Sequence, residues 1–221
     1  MTEQPRTRRR RLPRWLDALV LLAGTLALAL LVRTFAFQVF VIPSTSMAPT
    51  LAKDDRIAVQ KWSYRVGEPQ RGDVVVFRDP GDWLGPLEPP ARWQRGLQAV
   101  GLFPQGGHLV KRVVGVAGDE VRCCDEAGRL LVNGEPIDEP YLADPAANTV
   151  QPFQVTVPRG SLWVQGDNRA GSKDSRAHLD EAGGGFVDTD LVVGKVGARI
   201  WPLDRIGRVE PTDAFDDVPA P

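Results

Sequence analysis

The chain of 221 residues contains only two histidines, His108 and His178, and only two cysteines, Cys123 and Cys124. A catalytic Ser-His-Asp triad would therefore have to use one of these two histidines. No spacing of metal ligands is present, so we expect neither a metal site nor another cofactor. The cysteines are adjacent, and one trans peptide does not provide the usual geometry of a disulfide. We therefore expect them to stay unbridged, with a vicinal or intermolecular bridge as the alternative.

The chain also has almost no net charge, and the value of −1 hides two charged ends of opposite sign. Six of the first fourteen residues are arginine, whereas residues 209–221 carry four acidic residues and no basic one. The middle of the chain is close to neutral, which excludes a broad basic surface for nucleic acid. The acidic, proline-ended tail at 209–221 is typical of a disordered segment.

A long apolar run at residues 15–33 contains one acidic residue, Asp17, near its start. With Pro13 as the first helical residue it reaches about twenty positions, enough to cross a bilayer core of roughly 30 Å. The arginines ahead of the run place residues 1–14 in the cytoplasm and the chain from about Thr34 onward outside it. A cleavable secretory signal is the alternative. The bulky residues that follow, FAFQVFVIP, lack a small-residue cleavage site and favour a retained anchor.

Beyond this run the sequence predicts short strands, since β-branched segments alternate with turn residues. Asn133-Gly134 predicts a two-residue hairpin. The spacing favours an all-β domain over alternating βα units. The predicted strands cover residues 56–60, 73–77, 110–116, 130–132, 153–157, 161–165 and 191–201.

Two segments interrupt this pattern. Residues 78–107 are rich in proline, glycine and tryptophan. Their apolar spacing predicts a short amphipathic helix with Trp93, Leu97 and Val100 on one side. We expect this insertion to pack on its own domain, with a membrane-surface element as the alternative. Residues 179–185 contain three consecutive glycines and are expected to form a mobile loop.

Ser46 follows the apolar run in the segment IPSTSMAPTL, and Lys111 lies in the apolar segment HLVKRVVGVAGDEV. Amide hydrolysis by a serine requires a base near its hydroxyl and donors for the oxyanion. Lysine serves as that base when burial lowers its pKa by about 2–3 units. Arg112 should face the other side of the strand, and its charge should further disfavour protonation of Lys111. His108 is three residues from Lys111, so it should also face away, and we expect both histidines to be surface or packing residues.

Four blocks then occur in a defined order: residues 42–51, GDVVVF at 72–77, KRVVGVAGD at 111–119 and GDNRAGSKDSR at 166–176. Together they resemble the motifs of bacterial type I signal peptidases, or leader peptidases. These are membrane-anchored serine/lysine proteases that remove signal peptides. The resemblance runs from about residue 15 to 202. It implies a mainly β fold, with an antiparallel β catalytic domain over residues 34–208 after a single N-terminal transmembrane helix.

The resemblance also implies a role for each matched residue. Ser46 is the nucleophile, Lys111 the general base, and the Ser44 hydroxyl joins the Ser46 backbone N–H in the oxyanion hole. Ser172 matches the serine that hydrogen-bonds the lysine. Asp174 and Arg176 match the two residues of the family's structural ion pair. The positions that match the family's apolar pockets for small substrate residues are Phe40, Ile42, Met47, Leu51 and Val110.

This chain departs from the family pattern in one motif, where Ala170 and Gly171 stand in place of acidic and amide residues. We expect the local turn to be looser there. Residues 178–186 are an insertion relative to the compact pattern.

The implied partners are preproteins that bear signal peptides and emerge from the secretion machinery, together with membrane lipid. Segments around Phe40 and at residues 108–110 would pair with an extended substrate by strand addition. About a dozen residues separate the apolar run from Ser46, a reach of at most roughly 40–45 Å, so the site should lie near the plasma membrane. Two alternatives are a self-cleaving repressor with a serine/lysine pair and an inert membrane-anchored β module.

Overall fold

The computed structural model describes residues 14–35, 37–81, 83–85, 91, 106–144 and 152–221. The basic N-terminal residues 1–13 and the predicted amphipathic helix with Trp93, Leu97 and Val100 lie outside them. The chain forms two compact units, Met1–Ala36 and Phe37–Pro221.

The first unit contains one helix, α1, at Arg14–Phe35, which covers the apolar run at residues 15–33. Across the described residues, no helix was found that combines the length and the apolar content needed to cross a membrane.

The second unit is mainly β, as the spacing of strand signals predicts. One short helix, α2, covers Ser63–Val66. The strands are β1 Phe37–Val41, β2 Arg56–Gln60, β3 Val74–Arg78, β4 His108–Gly115, β5 Glu120–Cys123, β6 Leu130–Val132, β7 Glu135–Ile137, β8 Phe153–Thr156, β9 Ser161–Gln165, β10 Val187–Asp188, β11 Val192–Trp201 and β12 Gly207–Arg208. The sequence pattern did not predict β1, β5, β10 or β12, and it predicted β7 only as the second arm of the Asn133-Gly134 hairpin.

All strand pairs are antiparallel, and they form two sheets. The larger sheet has the order β1-β2-β11-β3-β4-β9-β10, with β12 paired to β11. The smaller sheet has the order β7-β6-β5-β8. The predicted hairpin joins β6 to β7, and Asn133 and Gly134 both have positive φ (52° and 83°), as a type I′ turn requires.

Strand β4 is central to the larger sheet because it pairs on both sides. Residues His108 to Arg112 pair with β3, whereas Arg112 to Gly115 pair with β9. The β-branched side chains of β3 and β4 supply buried apolar contacts on both faces of the sheet, and Val75, Val76, Val113 and Val114 are completely buried. This packing surrounds the strand that carries Lys111.

The prediction that residues 209–221 are disordered is wrong. Phe215 and Val218 are only 6% and 8% exposed and belong to the same apolar cluster as Trp163. Arg71 donates to the backbone oxygens of Val218 (3.3 Å) and Pro219 (3.0 Å). The acidic composition conceals two apolar side chains three positions apart, and burying them outweighs the entropy lost by ordering the tail.

The expectation that the adjacent cysteines stay unbridged is also wrong. Cys123 and Cys124 form a disulfide with each other. The expectation assumed a trans peptide, whereas the peptide between them is cis.

The glycine-rich loop at residues 179–185, expected to be mobile, forms consecutive hydrogen-bonded turns. The N–H groups of Glu181 and Gly184 donate to the carbonyls of His178 (3.2 Å) and Glu181 (2.8 Å). Leu179 and Phe186, at its two ends, pack against the core cluster that contains Trp163.

Candidate active site

Ser46 lies in the segment between β1 and β2, which we call the nucleophile loop (residues 42–51). The loop is compact because the N–H of Ala48 donates to Thr45 (3.1 Å) and the N–H of Leu51 donates to Met47 (2.8 Å). Ser46 itself is half-buried. A serine at the start of such a turn presents its hydroxyl from a rigid backbone.

Lys111 projects from β4 toward this loop, and its Nζ donates to Ser46 Oγ at 2.8 Å. Only 4% of the lysine is exposed. Burial lowers the pKa of its ammonium from 10.5 to about 8, although the charges of Asp174 and Asp167 raise it, and Arg176 lowers it. A lysine with this pKa is partly neutral near physiological pH and can then accept a proton.

Arg112 does not act on Lys111 as the sequence suggested. Its guanidinium forms a bidentate ion pair with Asp167, with Nε and Nη2 donating at 2.8 and 2.7 Å, and its Nη1 donates to Gly72 O at 2.8 Å. It also lies 3.9 Å from the centre of the Tyr141 ring. The cation whose charge lowers the pKa of Lys111 is instead Arg176.

The Ser44 hydroxyl lies 3.3 Å from Ser46 Oγ and is exposed. Ser172 Oγ is buried, but among the described residues no hydrogen bond of standard geometry joins it to Lys111. The predicted bond from Ser172 to Lys111 is therefore not made here. Ser172 nevertheless borders the site, because its side chain and the Ser46 carbonyl both lie against Gly166.

The ion pair predicted for Asp174 and Arg176 is present, with both nitrogen–oxygen contacts at 2.9 Å. Burial raises the pKa of the Asp174 carboxyl, but hydrogen bonding and charge from Arg176 outweigh burial and hold that pKa below its ordinary value. Asp174 also accepts from the Gly166 N–H at 3.0 Å, and Arg176 donates to Arg169 O at 2.8 Å. This pair braces the backbone of the GDN segment (residues 166–168).

The five predicted pocket residues lie in one apolar cluster. Phe40, Ile42, Met47 and Leu51 are at most 5% exposed, and Val110 is partly buried against them. The cluster adjoins Ser46 because Met47 follows it directly in the chain. A separate cleft of about 890 Å³ lies between residues 127–142 and 213–218, and neither Ser46 nor Lys111 lines it.

Neither histidine replaces Lys111 as the partner of Ser46. His108 packs against Phe40, with ring centres 5.2 Å apart, and its Nδ1 lies 3.1 Å from Gly106 O. His178 is buried, stacked on Trp83 at 4.3 Å, and bonded to Glu181 at 2.7 Å. Among the described residues there is no cluster of His, Cys, Asp or Glu suited to a metal ion.

Sequence reasoning did not assign a role to two residues that hold the nucleophile loop. Asn168 donates from its backbone N–H to Ser46 O (3.0 Å) and from its side chain to Thr45 O (3.2 Å). Thr50 donates its hydroxyl to Asp167 at 2.5 Å. Both residues lie within recognised motif blocks, but no local signal indicated the bond of Thr50, whose partner is 117 positions away.

The sequence model of the family described as signal peptidase, peptidase S26, matches residues 14–201. The chain belongs to this family. The predicted resemblance to bacterial type I signal peptidases is therefore confirmed, and the chain is a serine peptidase. The inert β module considered as an alternative is not supported.

Two relatives agree with this assignment, and one solved structure is also similar to the chain. A signal peptidase I of Mycobacterium tuberculosis is 40% identical over 236 aligned positions, covering 94% of this chain and 79% of that relative. A signal peptidase I of Bacillus licheniformis is 32% identical and covers 95% of this chain and 100% of that protein. A crystal structure of a signal peptidase I from Enterococcus faecalis is 29% identical with a TM-score of 0.40, covering 59% of this chain and 97% of that one.

Proposed function

We propose that this peptidase removes N-terminal signal peptides from secreted preproteins, with Ser46 as nucleophile and Lys111 as general base. The observation that carries the proposal is the 2.8 Å contact between the Ser46 hydroxyl and a buried amine. Neutral Lys111 accepts the hydroxyl proton along this line while Ser46 Oγ attacks the scissile carbonyl. Protonated Lys111 then gives the proton to the leaving amine, which leaves an ester on Ser46.

Hydrolysis of the ester repeats the same proton transfers with water as the nucleophile. Lys111 accepts a proton from the attacking water, the ester bond breaks, and the proton returns to Ser46 Oγ. The developing oxyanion requires donors that are already in place. We assign this task to the Ser46 backbone N–H and the Ser44 hydroxyl, and we assign to Ser172 a supporting role beside the lysine.

The substrate is expected to bind as an extended strand. Strand β1 is the edge of the larger sheet, and residues 108–111 of β4 pair with β3 but not with β9. Main-chain groups at these edges can pair with the residues that precede the scissile bond. The apolar cluster that contains Phe40, Ile42 and Val110 would then receive small side chains.

A cleavage assay with the full-length chain in detergent tests the proposed pair. The substrate is a preprotein whose cleavage site has the small-residue Ala-x-Ala pattern. Ser46→Ala and Lys111→Ala should each abolish cleavage, and Lys111→Arg should fail because its guanidinium stays charged. Lys53→Ala, which changes an exposed lysine, is the control and should cleave normally. Activity in Lys111→Ala together with loss in His108→Ala or His178→Ala would show that a histidine is the base.

We further propose that residues 15–33 anchor the peptidase in the plasma membrane of a bacterium, with its catalytic unit outside the cytoplasm. The arginine-rich N-terminus and the apolar composition of the run support this orientation. Protease added to intact spheroplasts should digest the catalytic unit, and carbonate washing should leave the undigested chain in the membrane pellet. Protection from the protease, or release of a shortened soluble form, would contradict the anchor.

A further inference from the structure

The two reacting side chains come from separate elements, so their separation depends on contacts that join those elements. Lys111 is carried by β4 and Ser46 by the nucleophile loop. Asp167 lies between them, and it is completely buried. Its carboxylate accepts two bonds from Arg112, the residue that follows Lys111, and one bond from Thr50, which is part of the nucleophile loop.

The position of the Asp167 carboxylate is rigidly determined. The bidentate geometry with Arg112 fixes both of its oxygens, and Arg112 is only 2% exposed. Arg112 is held in turn by Gly72 O and the Tyr141 ring. A hydroxyl bonded to this carboxylate is therefore held in a fixed position relative to β4, the strand that carries Arg112.

Thr50 is connected to Ser46 through two overlapping hydrogen-bonded turns of the nucleophile loop. Leu51 N–H donates to Met47 O at 2.8 Å around Thr50, and Ala48 N–H donates to Thr45 O at 3.1 Å around Ser46. Thr50 is also held through its carbonyl, which accepts from Arg199 Nη1 at 2.6 Å. A shift of the Thr50 side chain would move the turn, and Ser46 Oγ would move with it.

We propose that Thr50 is a positioning residue: the bond from its hydroxyl to Asp167 sets the separation between Ser46 Oγ and Lys111 Nζ. The inference rests on the proposed serine/lysine pair. Thr50 itself takes no proton from the substrate. Because misplacement of reacting groups by about 1 Å can slow a reaction about 100-fold, one hydrogen bond at this position can control the rate.

The test compares Thr50→Val, Thr50→Ala and Thr50→Ser in the full-length chain. Thr189→Val is the matched control, since the Thr189 hydroxyl also donates one bond, to Gly160 O at 3.0 Å, in a different part of the domain. Steady-state cleavage of the Ala-x-Ala preprotein is measured at least about 15 °C below each melting temperature, so that every variant is folded.

Thr50→Val and Thr50→Ala should each lower kcat about 10- to 100-fold with KM changed less than about threefold. Thr50→Ser, which keeps the hydroxyl, should recover kcat to within about threefold of the original chain. Thr189→Val should keep the original kcat. The pH at which activity is half-maximal should stay unchanged in Thr50→Val, because the charge of Asp167 remains.

A normal kcat in both Thr50→Val and Thr50→Ala would overturn the positioning role, and so would a Thr50→Ser variant as slow as Thr50→Val. Equal losses of kcat in Thr50→Val and Thr189→Val would overturn it too, because they would indicate general destabilisation. Lys111→Ala, assayed alongside, separates this failure from that of the proposed function. If Lys111→Ala stays active, the serine/lysine pair is wrong and the positioning role falls with it. If Lys111→Ala is inactive, only the role of Thr50 is in question.

Discussion

Lys111 shows how burial changes the chemistry of a single side chain. Its ammonium is almost completely removed from water, and loss of hydration disfavours the charged form. Two buried carboxylates, Asp174 and Asp167, oppose this change, but each is paired with an arginine. The pairing limits their effect, so burial dominates and the pKa of Lys111 falls to about 8.

The pH dependence of cleavage follows from this pKa. The proposed mechanism requires neutral Lys111, so kcat/KM should rise with pH below about 8, reach half its maximum there, and level off above it. Near pH 7 only roughly one tenth of the lysine is neutral. The measurement is kcat/KM from pH 5.5 to 9.5, with the melting temperature recorded at each pH to exclude unfolding. Half-maximal activity near pH 6–6.5 would instead indicate a histidine base.

The GDN segment connects the end of β9 to the nucleophile loop at close range. Gly166 donates its N–H to Asp174, and Asn168 donates to the Ser46 carbonyl. A β-carbon at position 166 would lie closer to Ser172 and to the Ser46 carbonyl than real side chains approach. The contact between these two segments therefore requires glycine at position 166, and the reason is space rather than backbone conformation.

Gly166→Ala should separate the GDN segment from the nucleophile loop. We expect a loss of more than about 90% of kcat together with about 1–3 kcal/mol of destabilisation, because overpacking forces the backbone to shift. Cleavage rates and urea unfolding would measure both effects. Gly183→Ala is the control, since nothing lies within 4 Å of a β-carbon built there. A Gly166→Ala variant with the kinetics of the original chain would contradict the close approach.

The C-terminal tail contributes to the core of the whole catalytic unit. Phe215 and Val218 pack in a cluster that also contains Trp163 of the larger sheet and Val121 of the smaller one. Arg71 secures the tail from the other side, since it binds Asp119 and the carbonyls of Val218 and Pro219. The tail therefore helps to join the two sheets.

Phe215→Ala should destabilise the unit by about 3 kcal/mol, because truncation of a buried phenylalanine leaves a cavity. For a domain of this size the melting temperature should fall by roughly 6–12 °C. Leu203→Ala, at a side chain that is 69% exposed, should change stability by less than about 0.5 kcal/mol. Calorimetry or thermal circular dichroism would measure the difference. An unchanged melting temperature in Phe215→Ala would mean that the tail is dispensable for stability.

Much of the fold was predictable from the sequence, and so was the pairing of Ser46 with Lys111, whose side chains the structure brings into contact. Short β-branched runs predicted most of the longer strands, and Asn133-Gly134 predicted the hairpin. The apolar neighbours of Lys111 already indicated burial, and the order of the motif blocks identified the family. These features depend on residues close together in the chain. Strand period, turn preference and side-chain type can therefore be recognised from short stretches of sequence.

The remaining features depend on partners that are far apart in the chain. Ser46 and Lys111 are separated by 65 positions, and Thr50 and Asp167 by 117. No local pattern predicts the ion pair of Asp167 with Arg112 or the burial of Phe215 in the core. Nor does one predict that Arg176 is the cation that lowers the pKa of Lys111. Only the packed sheets bring these groups together. Burial then strengthens the interactions among their charges, because the interior screens them less than water does.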